Sequence, residues 1–192
     1  MALSPYRRVV LLNNHGVNQL EHGNFHEARD IFLAAMEEIK LLGLDRKSIT
    51  NFHPCVRWSR NALLIGELNI PGLAPCPFFF RRALAIVSDL TPSPGLAVES
   101  VVIIYNCALS LLVDGFVTNT SKNLTTSRRL FEIAIAIQEQ DLVSQQNRQP
   151  DQMLLHAAMC NNLGWIHGEL CNYELAAHCF HVVVSSLSGN LN

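Results

Sequence analysis

Two stretches of this chain, 148 residues apart, carry the same residues at the same spacing. Residues 12–32 read LNNHGVNQLEHGNFHEARDIF, and residues 160–180 read CNNLGWIHGELCNYELAAHCF. In both stretches an asparagine lies two positions before a glycine, and an alanine and a phenylalanine lie twelve and sixteen positions after that glycine. Because a repeated set of fixed positions indicates a repeated structural unit, a repeat architecture is the first fold class to consider.

A third copy of the pattern is centred on Ala108. Asn106 lies two positions before it and Gly115 seven positions after it, and the segment FVTNTSKNLTT then makes this copy seven residues longer than the other two. The three sets are Asn14, Gly16, Gly23, Ala28, Phe32 and Ala35; Asn106, Ala108, Gly115, Ser127, Phe131 and Ala134; and Asn162, Gly164, Cys171, Ala176, Phe180 and Val183.

The spacing is that of two antiparallel helices joined by a short turn. A small residue in the first helix allows the second helix to approach closely, and Gly23 or Gly115 supplies the left-handed turn that ends the first helix. In the second helix, Ala28, Phe32 and Ala35 share one face at spacings of four and three. The sequence predicts six helices, near residues 6–22, 25–42, 97–114, 123–141, 151–170 and 173–187.

The segment between residues 45 and 95 interrupts this pattern and contains six of the eight prolines. Its stretch FFFRRALAIVSDL (78–90) has a composition that a helix tolerates, but prolines lie on both sides and the β-favouring ALLIGELNI (62–70) precedes it. We therefore expect a proline-rich insert that is irregular or partly extended and packs across the helices.

The fixed positions resemble those of the tetratricopeptide repeat family, whose unit of about 34 residues has small residues near its eighth and twentieth positions, a glycine near its fifteenth and an aromatic near its twenty-fourth. The resemblance covers residues 9–40, 101–140 and 155–188, although the reference positions lie 92 and 56 residues apart. It implies an all-α domain over residues 1–192, built from antiparallel helix hairpins that form a short α-solenoid, with the insert near 45–95.

The resemblance also implies a non-catalytic scaffold whose first helices line a concave groove that holds a peptide or a partner helix. Its lysine- and arginine-lined groove variant is not expected, since the corresponding positions here carry amide and apolar side chains. Trp165 is the most distinctive of them, because tryptophan is a favoured interface residue; the alternative is that it packs against the insert. The implied groove positions are Asn13, Val17, Leu20, Glu21, Tyr105, Leu109, Leu112, Asn161, Trp165 and Glu169.

Composition restricts the partners. Net charge is −2 and only 16% of residues are charged, so the chain has no basic field for nucleic acid or an anionic membrane. The most apolar run, residues 100–113, is too short to span a bilayer, and the N-terminal residues do not read as a secretion signal. Six cysteines without a C-x-x-C pair are interpreted as reduced and buried. We expect an intracellular, cytoplasmic protein that binds a protein or peptide.

The rival hypothesis is a metal-binding or thiol-based activity at a cysteine and histidine cluster near the C-terminus. It consists of His167, Cys171, His178, Cys179 and His181. No G-x-S-x-G, H-E-x-x-H, G-x-x-x-x-G-K or G-x-G-x-x-G motif occurs, so we expect neither an enzyme nor a cofactor. A third hypothesis is self-association through the C-terminal helix, because no polar helix follows it.

Overall fold

The computed structural model describes residues 4–43, 55–58, 80–87, 96–144 and 150–188. Within them the chain forms six helices and two short strands: α1 (Pro5–Glu21), α2 (Phe25–Gly43), β1 (Cys55–Trp58), β2 (Leu84–Val87), α3 (Ala97–Val117), α4 (Ser121–Ser144), α5 (Pro150–Glu169) and α6 (Tyr173–Ser188). The fold is predominantly helical, as predicted. All six predicted helices are confirmed, each within three residues of its predicted ends.

The helices form three pairs, and each pair is joined by three residues. The middle residue of each connection has a positive φ: Gly23 in the first pair, Asn119 in the second and Cys171 in the third. In each connection the third residue donates its N–H to a carbonyl five residues earlier, the hydrogen bond that closes a Schellman motif. Such short connections require the two helices of a pair to be antiparallel.

The assignment of Gly115 as a turn residue is wrong. Gly115 lies inside α3, and a Cβ atom there would come within 2.8 Å of the Leu124 side chain, so it permits close approach of α4. Of the seven extra residues of this copy, four precede Asn119 and lengthen α3, and three follow it and lengthen α4, so they do not form a long loop. Each helix is thereby lengthened by about one turn, which keeps the facing residues in register.

In the first and third pairs, the small residue of the first helix faces the phenylalanine of the second. A Cβ atom on Gly16 would lie 2.5 Å from the Phe32 ring, and one on Gly164 would lie 2.9 Å from Phe180. In the second pair, the Ser127 hydroxyl replaces an alanine and donates to the Ala108 carbonyl at 2.7 Å, which satisfies a buried polar group.

The pairs also pack on one another, α3 against α2 and α5 against α4. Helix α3 lies at the centre of the fold and is buried along almost its whole length. By length and composition it is, among the described helices, the one able to cross a membrane, and 89% of its apolar window is buried inside the fold. The expectation was that the apolar run at residues 100–113 is too short to span a bilayer. That run is part of α3, which has 21 residues and is long enough.

The described parts of the insert are extended, as expected. Strands β1 and β2 pair antiparallel, with Trp58 opposite Leu84 and Cys55 opposite Val87. Strand β2 packs across α1 and α3. Residues 44–54, 59–79 and 88–95, which include ALLIGELNI, lie outside the described residues.

Candidate functional site: an asparagine-lined face and an open end

Three asparagines at the same position of the three pairs hold one extended segment, residues 80–87. Each uses its side-chain amide to accept a backbone N–H and to donate to the carbonyl of the same residue. Asn14 holds Ile86 at 2.9 and 3.0 Å. Asn106 holds Leu84 at 2.9 and 2.8 Å. Asn162 holds Phe80 at 2.7 and 3.0 Å. We call residues 80–87 the clamped segment.

Two further side chains complete the contacts between the first helices and the clamped segment. Asn13 donates to the Leu84 carbonyl at 3.0 Å, and its own oxygen accepts from Asn106 at 2.9 Å. The Tyr105 hydroxyl donates to the Arg82 carbonyl at 2.9 Å. The first helices therefore bind every second residue, from 80 to 86, through its backbone.

This alternation divides the two edges of β2 between different partners. In an extended chain the N–H and C=O groups of successive residues point to opposite edges. The asparagines take the groups of Leu84 and Ile86, so β1 pairs through the groups of Ala85 and Val87, which lie opposite Arg57 and Cys55. Helices α1 and α3 thus act as the neighbouring strand on one edge of β2, and α5 extends this contact to Phe80.

The chemistry of this face is recognition of peptide backbone. An asparagine amide presents the same donor and acceptor as a peptide group, so a bidentate pair with the backbone is indifferent to side-chain identity. The side chains of Ala83, Leu84 and Ile86 are buried and add apolar contact. Each of these hydrogen bonds matters more because the segment is buried. A backbone group that lost its asparagine partner here would have no water to replace it.

The structure places the ten predicted groove residues in four environments. Asn13 and Tyr105 contact the clamped segment. Four apolar residues are buried in the core instead of lining an open groove, and Glu21 is half-buried. The four are Val17, Leu20, Leu109 and Leu112. Asn161, Trp165 and Glu169 line an open cavity on the third pair.

This cavity has a volume of about 400 Å³ and opens to solvent between α5 and α6. The Trp165 ring, half-buried, packs edge-on against Phe116 at the end of α3, with ring centroids 4.4 Å apart. Trp165 therefore contacts α3, which neither sequence hypothesis anticipated. The cavity is lined by Asn161, Gly164, Trp165, Gly168, Glu169 and Phe180.

The corresponding positions of the first two pairs are closed. There the residues equivalent to the cavity lining are buried, apart from the half-buried Glu21. Position 168 shows the contrast most clearly: its equivalents Leu20 and Leu112 are fully buried, whereas Gly168 has no atom within 4 Å of a Cβ built on it.

The predicted cysteine and histidine cluster is spread over different environments. His167 and Cys179 are buried, whereas Cys171, His178 and His181 are exposed. Burial raises the pKa of the Cys179 thiol and raises that of Cys160 to about 12, opposite to the lowering that activates a thiol. Within the described part of the chain, no group of three or more metal-ligating side chains is close enough together to hold a metal ion. The expectation that the cysteines are buried is wrong for Cys171, which is exposed.

Sequence reasoning missed the role of Asn14, Asn106 and Asn162. They are the one polar type that recurs in all three copies, and this was the available signal. The predicted groove used the preceding position of each pair instead, residues 13, 105 and 161. No family model, no curated protein and no solved structure matches this chain.

Proposed function

We propose that this chain is a non-catalytic protein-interaction module, a short solenoid of tetratricopeptide-type helix pairs whose first helices bind extended polypeptide. The clamped segment is its intramolecular ligand, and an extended peptide from another protein is the kind of partner that the same face accepts. The observation that carries the proposal is the set of three bidentate asparagine–backbone pairs at equivalent positions of the three pairs.

Two features support binding in preference to a purely apolar core contact. First, the face satisfies the N–H and C=O groups of alternate residues, which is how a sheet edge captures a peptide. Second, Asn162 meets a partly exposed part of the segment, since Phe80 is only half-buried. Polar recognition of this kind contributes orientation and register, and apolar burial contributes most of the affinity.

The test is to vacate the face and offer the ligand in trans. Leu84→Pro removes the N–H that Asn106 accepts, so the segment can no longer dock fully. A synthetic peptide of residues 79–88 is then titrated by fluorescence anisotropy, and the thermal midpoint of the variant is followed. We expect saturable binding to the variant, a raised midpoint, and little binding to the wild type, whose face is occupied.

The control is the same peptide N-methylated at Leu84 and Ile86, which keeps the side chains and removes two of the backbone donors. It should bind at least about tenfold more weakly. If Leu84→Pro loses its helical circular dichroism, Ile86→Pro, which disrupts only the pair with Asn14, takes its place. Equal binding of the two peptides, or no binding to either variant, would refute the proposal.

A further inference from the structure

The outer face of α6 differs from the equivalent faces of α2 and α4. Phe180 retains 36% of its accessible surface, whereas Phe32 and Phe131 retain none. Val184 retains 61%, whereas its equivalents Met36 and Ile135 pack against the core. Trp165 and Phe180 line the cavity, and Val184 lies one helical turn beyond Phe180 on α6, so the three form an apolar rim beside the cavity. We call these three residues and the cavity the end face.

The end face is defined by comparing equivalent positions of the three pairs, and exposure of a residue on α6 is not sufficient by itself. Leu175 retains 52% of its surface, but its equivalents Glu27 and Thr126 are exposed as well. The side of α6 that carries Leu175 is therefore a solvent side in every pair. The side that carries Phe180 and Val184 is covered in the first two pairs and uncovered in the third.

The first two pairs also show what covers such a face. Helix α3 packs on α2, and α5 packs on α4. On α5, the side towards α4 includes Gln152 and His156, both of which contact Gln138 of α4. The same side continues through a stripe of apolar residues spaced four, four and three apart, namely Leu155, Met159, Leu163 and Ile166. Among the described elements, no helix follows α6 in this way.

A second copy stacked head to tail is a poor match for the end face. Its α1 would take the place that α3 and α5 take in the first two pairs. At the positions equivalent to the apolar stripe of α5, α1 carries Arg7, Leu11, His15 and Asn18, all exposed. Placing an arginine and a histidine against an apolar rim would desolvate them without partners, which is unfavourable.

We infer that the end face docks an amphipathic helix of a partner protein, with an apolar stripe at i, i+4, i+8 and i+11 like that of α5. The partner helix continues an interface that the chain already uses twice, with Phe180 and Val184 as the contacts on α6 and the cavity beside Trp165 receiving one of its side chains. This deepens the proposed function and rests on it for the class of partner, but it concerns a different surface from the asparagine-lined face.

The experiment uses the full-length chain and a fluorescein-labelled peptide of residues 150–167 as the stand-in for the partner helix. We expect saturable binding with a Kd on the order of 50 μM, since a free helix of this length is only marginally stable in water. Val184→Glu should weaken binding at least about tenfold, because it places an unpaired charge at the interface. Leu175→Glu, on the solvent side of the same helix, should change it by less than about twofold.

A peptide carrying Met159→Asp and Leu163→Asp tests the stripe and should not bind. Three outcomes would overturn the inference. The first is that the wild type does not bind the peptide. The second is that Val184→Glu binds as well as the wild type, which would indicate exchange with the chain's own α5. The third is that light scattering shows a dimer that Val184→Glu dissociates, which would make the occupant a second copy. Variants of the clamped segment leave the end face intact, so failure here is separable from failure of the proposed function.

Discussion

The first and third helix pairs have the same fixed residues and the same three-residue connection, yet their outer faces differ. Phe32 is fully buried and Phe180 is not, although each packs against the glycine at the same position of its own pair. The shared residues therefore specify packing inside a pair. Burial of the outer face depends on whether another helix follows, which the residues of the pair do not encode.

Truncating both phenylalanines is the most direct test of whether the two outer faces differ in burial. Phe32→Ala should lower the free energy of unfolding by about 4 kcal/mol, because it leaves a cavity at a fully buried site. Phe180→Ala should lower it by only about 2 kcal/mol, since part of that ring is already in water. Urea denaturation at matched protein concentration measures both. Equal losses would show that the two rings are buried to the same extent in solution.

The asparagine-lined face allows a second comparison within one row of equivalent residues. Asn106→Ala should destabilise the fold by about 3 kcal/mol, since it strands the buried N–H of Leu84 and the oxygen of Asn13 and leaves the Leu84 carbonyl with Asn13 as its donor. Asn162→Ala should destabilise it by about 1 kcal/mol, because water reaches half-buried Phe80 and replaces the lost bonds.

The exposed Asn18→Ala is the control for this pair and should change stability by less than about 0.5 kcal/mol. Thermal unfolding followed by circular dichroism is sufficient to rank the three variants. A larger loss for Asn162→Ala than for Asn106→Ala would place the tighter contact at α5 and contradict the burial of the segment described here.

The glycines sharpen the comparison on a smaller scale. Gly16→Ala should cost about 2 kcal/mol, because the added Cβ would lie 2.5 Å from Phe32, a ring with no room to move. Gly164→Ala should cost about 1 kcal/mol, since the partly exposed Phe180 ring can shift away, whereas the Cβ of Cys179, 3.1 Å from the added atom, cannot rotate away. Gly168→Ala should raise stability by about 0.5 kcal/mol, because its Cβ meets empty space in a helix. Chemical denaturation would contradict this order if Gly164→Ala were the most damaging.

The helices were predictable from sequence because their determinants are local. Spacings of four and three define a helical face, and the residue that ends each first helix sits at a constant distance from the reference position in the first and third pairs. The prediction for the second pair was wrong at Gly115 because it assigned all seven extra residues to the turn. Adding about one turn to each helix fits the same sequence equally well, because it keeps the facing residues in register, and this is what the structure has.

The site was predictable only in part, because its determinants are distant in sequence. The recurrence of Asn14, Asn106 and Asn162 is visible in the sequence, but their ligand lies between 22 and 82 residues away. Nothing local in residues 80–87 indicates that their backbone docks against three helices. Likewise the burial of Leu20 and Leu112, and the openness at Gly168, follow from which helix packs next.

The smallest expected effect concerns pH and one position where the first and third pairs differ. His167 is buried, its Nδ1 has no hydrogen-bond partner in the described part of the chain, and its equivalent in the first pair is Gln19. Burial lowers the pKa of His167 below its ordinary 6.5, and the nearby Arg128 lowers it further, against a weaker opposite influence of Glu132.

The unfolded chain therefore binds a proton at this histidine more readily than the folded chain does. Stability should be fully present above about pH 6.5 and should be lost as pH falls towards the lowered pKa of the folded state. His167→Gln, which gives the third pair the residue of the first, should flatten the decline in thermal midpoint between about pH 7 and pH 5.5. His181→Gln, at an exposed position, should leave that decline unchanged. If the two variants behave alike, another group produces the acid sensitivity, and the difference between the pairs at this position is without consequence for stability.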